Sequence, residues 1–358
     1  MILEKKFPLY VGTYTENTKS DGIYACLFDT EKGKIEKMNL AAEIADPSYL
    51  IFDKNRNVIF SVSETSDFSG YMGGGVSSFL IQDDMQLKLI GSQPTHGKAP
   101  CHLCLSPDGK TLFAANYTQG SFSVFPVLQE GVIEPLMQTI QHEGKGPNQK
   151  RQEQAHVHFV SADKKGVCVV DLGIDKIFWY SLSDGELTKK PVASIAVASI
   201  AMPPGSGPRH FVIHPVLPIL YILQELSNQV ISVQLDINGY PLEINQIIST
   251  LPEAFSGENT SAAIRINKEG TMLFASNRGH DSVAAYQIDK NGMMTETGIY
   301  SCGGKTPRDI CLSPDEKWLL CANQSGEVSV LPLDEKTGVL SESIWNEPMG
   351  CPVNLLFL

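Results

Sequence analysis

A short pattern recurs along the whole chain and constrains its fold more than any other feature. Each repeat has an apolar strand that begins at a Pro or polar residue, a turn, a second strand with a polar end, a short loop and a third strand. The repeats begin at Pro47–Leu50, Pro100–Leu103, His156–Phe159, Pro208–Phe211, Ser261–Ile264, Pro307–Ile310 and Pro352–Leu355. Successive starts are 45 to 56 residues apart. A fixed period of this length is typical of repeat architectures in which each repeat is one supersecondary unit.

The segments within each repeat have the residue pattern of β-strands. Val58–Glu64 and Thr111–Tyr117 are second strands, and Ser121–Val127 is a third strand. These segments are rich in Val, Phe, Tyr and Ile, and their residues alternate with a period of two, which favours pleated strands over helix. Ser106–Gly109 has the residues of a tight turn between the first and second strands. The sequence contains no convincing amphipathic helix, so it predicts an all-β fold.

The two ends of the chain complete the repeat count. Leu9–Tyr14 matches a second strand and Gly22–Asp29 a third strand, with no first strand before them. Cys351–Leu358 is a first strand with nothing after it. Six whole repeats and one split repeat predict a seven-bladed β-propeller, closed by pairing the N- and C-terminal strands in one blade. This outweighs the length prior of two or more domains and predicts a single β-propeller domain over residues 1–358.

Composition and charge exclude several classes of function. The 28 Lys and Arg residues stand against 40 Asp and Glu, a net charge of −12. Such a field repels phosphate backbones, so we expect no nucleic-acid partner. No apolar run approaches the roughly 20 residues that span a bilayer, so we expect no membrane insertion. The first ten residues lack the apolar core of a signal peptide, which predicts a cytoplasmic location.

The eight cysteines are spread through the chain, mostly within apolar runs. They are interpreted as small core residues. Cys101 and Cys104 form a C-x-x-C pair, but no second pair lies at zinc-ligand spacing. The sequence therefore predicts no metal and no cofactor.

The topology of the repeat brings polar residues to one face of the propeller. In an antiparallel meander, first strands begin and second strands end on the same face, and that face is the predicted mouth. The ends of second strands place there Tyr14, Glu64, Tyr117, Leu172, Glu225, Arg278 and Gln324. The starts of first strands add His102, His156, His158, Arg209, His210, Arg308, Asp309 and Asn354. Histidines supply bases that titrate near neutral pH, and arginines bind carboxylate or phosphate with two donors.

Each of these residues also has a purely structural interpretation. Polar side chains in propeller channels often bind only water, and Arg209 is able to pair with Glu225 of the same repeat. The concentration of His, Arg and Glu at one end favours a ligand site.

The motifs of the chain resemble those of the seven-bladed β-propeller lactonases, the bacterial 6-phosphogluconolactonase type, which also includes carboxymuconate lactonising enzymes. The resemblance runs from about residue 8 to the C-terminus. The matching segments are Tyr10–Thr15, Ala115–Tyr117, Gly144–Asn148, Arg151–Glu153, His156 with His158, Asp171–Gly173, Gly207–His210, Glu225–Leu226, Ser276–Arg278 and Pro307–Arg308.

The resemblance implies hydrolysis of 6-phosphogluconolactone to 6-phosphogluconate in the oxidative pentose phosphate pathway. It implies a site made of His156, Arg209, Glu225 and Arg278, of which the first three are the predicted catalytic residues. Arg278 is predicted to bind substrate, and the mouth residues added to it are Arg308, His158, His210, His102 and Glu64.

A mechanism consistent with these residues needs an activated water and a group that stabilises the oxyanion. Glu225 or His156 is the predicted base, and Arg209 stabilises the oxyanion. Arg278 and Arg308 hold the phosphate of a phosphorylated sugar lactone, the predicted small-molecule partner. The sequence makes no prediction of oligomeric state.

Two further functions remain open at this point. One is a muconate-type lactone cyclase, or a hydrolase of another sugar lactone, that uses the same mouth residues. The other is a non-enzymatic propeller that binds partners, which predicts exposed aromatic clusters on its faces.

Overall fold

The computed structural model describes residues 5–181 and 198–358, and within those two ranges it contains strands and turns but no α-helix. The first strands in chain order are β1 (Lys6–Thr13), β2 (Gly22–Asp29), β3 (Lys34–Glu43), β4 (Leu50–Asp53), β5 (Val58–Ser63), β6 (Asp67–Phe68), β7 (Tyr71–Met72), β8 (Gly75–Ile81), β9 (Leu87–Pro94) and β10 (Pro100–Leu105). The next are β11 (Thr111–Asn116), β12 (Ser121–Pro126), β13 (Gln138–Gln141), β14 (Val157–Ala162), β15 (Gly166–Asp171), β16 (Lys176–Ser181), β17 (Ala198–Ala201), β18 (Pro208–Ile213), β19 (Ile219–Gln224) and β20 (Gln229–Leu235). The last are β21 (Pro241–Ser249), β22 (Thr260–Ile266), β23 (Met272–Arg278), β24 (Ser282–Ile288), β25 (Met294–Ser301), β26 (Pro307–Leu312), β27 (Trp318–Asn323), β28 (Glu327–Pro332), β29 (Trp345–Pro348) and β30 (Pro352–Phe357).

The chain forms two compact units, residues 41–209 and residues 210–358 with the segment up to Leu40. In the first unit the described strands form three four-stranded sheets, with strand orders β4-β5-β8-β9, β10-β11-β12-β13 and β14-β15-β16-β17. Strands β18–β21, β22–β25 and β26–β29 form three more, and β3-β2-β1-β30 forms the last. Seven four-stranded sheets within the described residues confirm the predicted all-β, seven-bladed propeller. The prediction of one domain over residues 1–358 stays a prediction.

The split blade has the pairing that the repeat count predicts. β1 lies between β2 and β30, and both of its pairings are antiparallel. Leu9 is opposite Phe357 and Val11 is opposite Leu355. The N- and C-terminal strands therefore complete one sheet, as predicted.

The second strand of most repeats is buried along its whole length, because the sheet carries packed side chains on both faces. Every residue of β5, β11, β15 and β19 is buried. In residues 41–209, for example, Phe60 and Val76 pack in one apolar cluster with Leu112 and Phe125 of the next sheet. A strand buried on both faces has a continuous apolar sequence rather than a strict alternation.

A buried aspartate connects the inner strands of the unit that contains β30. Asp309 is 4% exposed and accepts hydrogen bonds through both carboxylate oxygens. Arg265 Nη2 lies 2.5 Å from Oδ1, which also accepts from the backbone N–H of Ile310 at 2.9 Å. Asn354 Nδ2 and the Leu355 N–H donate to Oδ2 at 2.9 and 3.0 Å. One carboxylate therefore joins β22, β26 and β30.

The cysteines agree with their interpretation as core residues. All eight are free, and Cys26, Cys302 and Cys321 are fully buried. Burial raises the pKa of Cys26 and of Cys302 to about 12, so these thiols stay protonated at neutral pH. Across residues 5–181 and 198–358, no helix is long and apolar enough to cross a bilayer.

Candidate active site

The predicted site residues are divided between the two units. Residues 41–209 contain Glu64, His102, His156, His158 and Arg209, and the other unit contains His210, Glu225, Arg278 and Arg308. Each set has its own contacts.

Several first strands have a β-bulge at their start, where the sequence places residues of the predicted mouth. Between β10 and β11 the register skips Cys101, between β14 and β15 it skips His158, and between β26 and β27 it skips Arg308. A bulge adds one residue to one strand, bends that strand and changes the direction of a side chain. In the aligned repeats Arg209 follows Pro208 as Arg308 follows Pro307.

His156 directly precedes β14 and is held at three points. Its backbone N–H donates to Oδ1 of Asp171 at 2.8 Å, and its Nδ1 donates to the carbonyl oxygen of Tyr117 at 3.0 Å. Its Nε2 lies 3.2 Å from Oε1 of Glu153, and the imidazole is 5% exposed. The orientation of this ring is therefore fixed by the fold.

Tyr117 lies against both histidines of the His-x-His segment. Its ring stacks on His156 with centroids 4.6 Å apart and an angle of 16°, and it contacts His158 edge-on at 5.4 Å. Its hydroxyl accepts a hydrogen bond from Arg151 Nη2 at 3.2 Å. The sequence places Tyr117 at the predicted mouth but does not include it among the predicted site residues.

His102 and His158 are buried in packed surroundings. The His102 ring lies between Tyr49 and Phe159, with centroid distances of 4.0 and 4.1 Å. The Nδ1 atom of His158 lies 3.8 Å from the Cys101 thiol. These contacts show a packing role for both histidines, and their role in substrate binding stays a prediction, as does that of the half-buried Glu64.

A buried chain of polar groups, of which the sequence motifs include only Asp171, supports the backbone at His156. Nδ1 of His142 lies 2.7 Å from Oδ2 of Asp171, and its Nε2 lies 2.7 Å from the Tyr180 hydroxyl. Burial raises the pKa of Tyr180 well above its usual value, so its hydroxyl keeps its proton and donates to His142. Asp171 then accepts from His142, from the N–H of His156 and from the N–H of Gly173.

A second buried carboxylate holds the loop that leads into Arg209. Asp175 accepts the backbone N–H of Gly205 at 2.6 Å and that of Gly207 at 2.8 Å. Gln152, itself fully buried, donates Nε2 to Asp175 at 2.7 Å. Arg209, which follows this loop, is 2% exposed. The backbone that presents Arg209 is therefore fixed from two segments of the same unit.

Replacing Asp175 by alanine is expected to lower the free energy of unfolding by about 3 kcal/mol, because it leaves backbone donors buried and unpaired. We also expect kcat/KM for the lactone hydrolysis that the resemblance implies to fall about 10-fold, because the segment before Arg209 loses its anchor. Chemical denaturation and initial rates measure the two effects. Asp163→Ala is the control, because Asp163 also accepts two backbone N–H groups but is exposed in the turn between β14 and β15. Equal effects of the two substitutions would contradict this role of Asp175.

In the other unit, Glu225 and Arg278 form an ion pair. Glu225 directly follows β19, and Arg278 is the last residue of β23. Arg278 Nη2 lies 3.2 Å from Oε2 of Glu225 and donates to the carbonyl oxygen of Ser261 at 3.4 Å. The Glu225 side chain is 3% exposed and the Arg278 side chain is 14% exposed. Charges this deeply buried are tolerated only when they are paired, so each side chain fixes the position of the other.

The remaining predicted residues of this unit lie at the starts of first strands. The Arg308 guanidinium stands 5.0 Å from the centroid of the Tyr14 ring, a cation–π distance. His210 lies in β18 and is 6% exposed. Arg308 is thus half-buried and held against an aromatic face.

These groups suit the hydrolysis of an activated ester. In one unit a fixed imidazole supplies an acceptor for a proton. In the other, a paired Glu and Arg and a half-buried Arg supply an acceptor for a proton and donors for an oxyanion or phosphate. No reaction is specified by these groups alone, because the same chemistry serves many substrates.

Comparison with known proteins identifies the family. The model of the family described as lactonase, 7-bladed beta-propeller, matches residues 8–357. A 6-phosphogluconolactonase of Bacillus subtilis is 33% identical over 358 residues, covering 99% of each chain. An uncharacterised protein of Staphylococcus saprophyticus is also 33% identical, over 92% of each chain.

A solved structure shows the same likeness in three dimensions. The periplasmic gluconolactonase of Pseudomonas aeruginosa superposes with a TM-score of 0.90 at 29% identity, covering 99% of each chain. These matches confirm the resemblance stated from the motifs and the predicted propeller fold. The chain belongs to the seven-bladed β-propeller lactonase family.

Proposed function

We propose that this protein hydrolyses 6-phosphogluconolactone to 6-phosphogluconate, the lactone-opening step of the oxidative pentose phosphate pathway. The observation that carries the proposal is the full-length match to the 6-phosphogluconolactonase of Bacillus subtilis within one lactonase family. A phosphorylated substrate also agrees with the arginines at the ends and starts of strands, since a guanidinium binds phosphate through two parallel N–H donors. A cytoplasmic location, where sugar phosphates occur, belongs to the same proposal.

The proposed chemistry uses the predicted residues in separate roles. A water molecule attacks the lactone carbonyl, and Arg209 stabilises the oxyanion of the tetrahedral intermediate. The ring C–O bond then breaks, and the ring oxygen takes up a proton to become a hydroxyl group. Glu225 or His156 is the proposed base for the water. Arg278 and Arg308 are the proposed ligands of the phosphate.

The ion pair supports a role for Glu225 and Arg278 together. Glu225 accepts from the Arg278 guanidinium, so the ion pair fixes the position of the carboxylate. Arg278 is the more exposed partner of the pair, so its guanidinium is the group that an anion from solvent reaches.

Hydrolysis of a gluconolactone without the phosphate is the second candidate. It is favoured by the likeness to the gluconolactonase of Pseudomonas aeruginosa, which is described as periplasmic. The two candidates share their chemistry and differ in the need for a cation that binds the phosphate.

The test is hydrolysis of freshly generated 6-phosphogluconolactone, coupled to 6-phosphogluconate dehydrogenase and corrected for spontaneous ring opening. We expect the protein to accelerate ring opening in proportion to its concentration. A folded protein that leaves the spontaneous rate unchanged with this lactone and with gluconolactone would contradict the proposal. That result would favour a muconate-type cyclase or a binding module.

A further inference from the structure

Both ring nitrogens of His156 are engaged by residues of its own unit. The carbonyl oxygen of Tyr117 can only accept a hydrogen bond, so Nδ1 of His156, 3.0 Å away, carries a proton. Nε2 faces Oε1 of Glu153 at 3.2 Å. The imidazole therefore lies between the Tyr117 carbonyl and the Glu153 carboxylate.

The two ends of this chain differ in their access to solvent. His156 is 5% exposed, whereas the Glu153 side chain is 53% exposed. Water and small molecules therefore reach the carboxylate more readily than the imidazole. Glu153 belongs to the Arg151–Glu153 segment, which the sequence singles out as a motif without giving Glu153 a role.

The surroundings of Glu153 keep it ionised. The pKa of Glu153 lies below the usual range. The largest cause is the hydrogen bond from its own backbone N–H, and the His156 imidazole and the charge of Arg151 lower the pKa further, whereas burial raises it. Tyr117 lies on the ring face of His156, and Asp171 accepts from its backbone N–H.

We propose that Glu153 is a further catalytic residue of lactone hydrolysis, and that His156 is the positioning residue that acts through it. The inference rests on the proposed lactonase function and assigns the base of that reaction to Glu153, in place of Glu225 or His156. The Glu153 carboxylate takes a proton from water as the water oxygen forms a bond to the lactone carbonyl carbon. The ring C–O bond breaks as the intermediate collapses, and the protonated carboxyl returns its proton to the ring oxygen. Water and lactone are consumed, one hydroxy acid is formed, and Glu153 ends ionised as it began.

Glu153→Ala tests the proposal. We expect kcat for 6-phosphogluconolactone to fall about 100-fold, the usual contribution of a general base, while KM changes less than about three-fold. Formate is expected to restore part of kcat, because the deleted carboxylate leaves a space open to solvent. Glu153→Gln, which keeps the volume of the side chain, is expected to show the same loss. Glu143→Ala is the matched control, an exposed glutamate of the same loop, and is expected to retain wild-type kcat.

A second comparison separates the roles of the two residues. His156→Ala is expected to lower kcat less than Glu153→Ala does, and the double variant is expected to be no slower than Glu153→Ala alone, because the two side chains act as one unit. Three results would each overturn the proposal. They are a wild-type kcat in both Glu153→Ala and Glu153→Gln, a kcat of Glu153→Ala that formate does not raise, and a greater loss of kcat in His156→Ala than in Glu153→Ala. If wild-type protein itself hydrolyses no lactone, the proposed function fails, a result distinct from any of these.

Discussion

Arg278→Ala is expected to lower kcat/KM for 6-phosphogluconolactone by about 100-fold or more, the largest effect on activity among the substitutions outside the Glu153–His156 pair. Two effects combine at this position. The substrate loses a guanidinium, and Glu225, which is 3% exposed, loses its ion pair with Arg278. Removing a positive charge beside a buried carboxylate is costly, so the Glu225 side chain is expected to change its position.

The Arg278 prediction needs variants that separate charge from shape. Arg278→Lys keeps the positive charge but not the planar fork, and is expected to recover only part of the activity. Glu225→Gln keeps the size of the side chain and removes its charge. If Arg278 binds phosphate, Arg278→Ala lowers hydrolysis of 6-phosphogluconolactone more than that of gluconolactone. Unchanged rates with both lactones in a folded Arg278→Ala protein would remove Arg278 from the site.

Asp309→Ala is expected to lower the free energy of unfolding by about 3–5 kcal/mol, the largest effect on stability. The substitution removes a carboxylate that pairs with Arg265 and accepts from the N–H of Leu355 and from the Asn354 amide. Since Asn354 and Leu355 lie in β30, the loss falls on the strand that completes the split blade. The C-terminal strand is expected to exchange its amide protons faster.

Chemical denaturation measures the stability of Asp309→Ala, and hydrogen exchange of Leu355 reports on β30. Asp21→Ala is the control, because Asp21 is an exposed aspartate of the same unit. A stability equal to that of the Asp21 variant would show that the bonds of Asp309 contribute nothing measurable to the closure of the sheet.

The strands could be predicted from the sequence because their signal is local. Pro begins β10, β26 and β30 as expected, since the first residue of a strand can lack an N–H without loss of a ladder bond. The predicted second strands Val58–Glu64 and Thr111–Tyr117 each differ from the observed strand only at the last residue. The pairing of β1 with β30 follows from counting incomplete repeats.

The partners of the site residues could not be predicted in the same way. His142 carries no motif, and its bonds to Asp171 and Tyr180 join residues 29 and 38 positions away. Whether Glu153 or a water faces Nε2 of His156 depends on the course of a loop, which periodicity does not describe. The bulges that skip His158 and Arg308 are also absent from any alternation pattern. Sequence reasoning therefore finds the ends of strands where chemistry is expected, and the structure shows which groups meet there.

The most direct test of the account compares wild-type kcat/KM for 6-phosphogluconolactone with that for gluconolactone under identical conditions. The account predicts hydrolysis of both and a preference of about 100-fold for the phosphorylated lactone, the contribution expected of a guanidinium paired with phosphate. Equal values for the two lactones, or faster hydrolysis of gluconolactone, would contradict a phosphate site at Arg278 and Arg308.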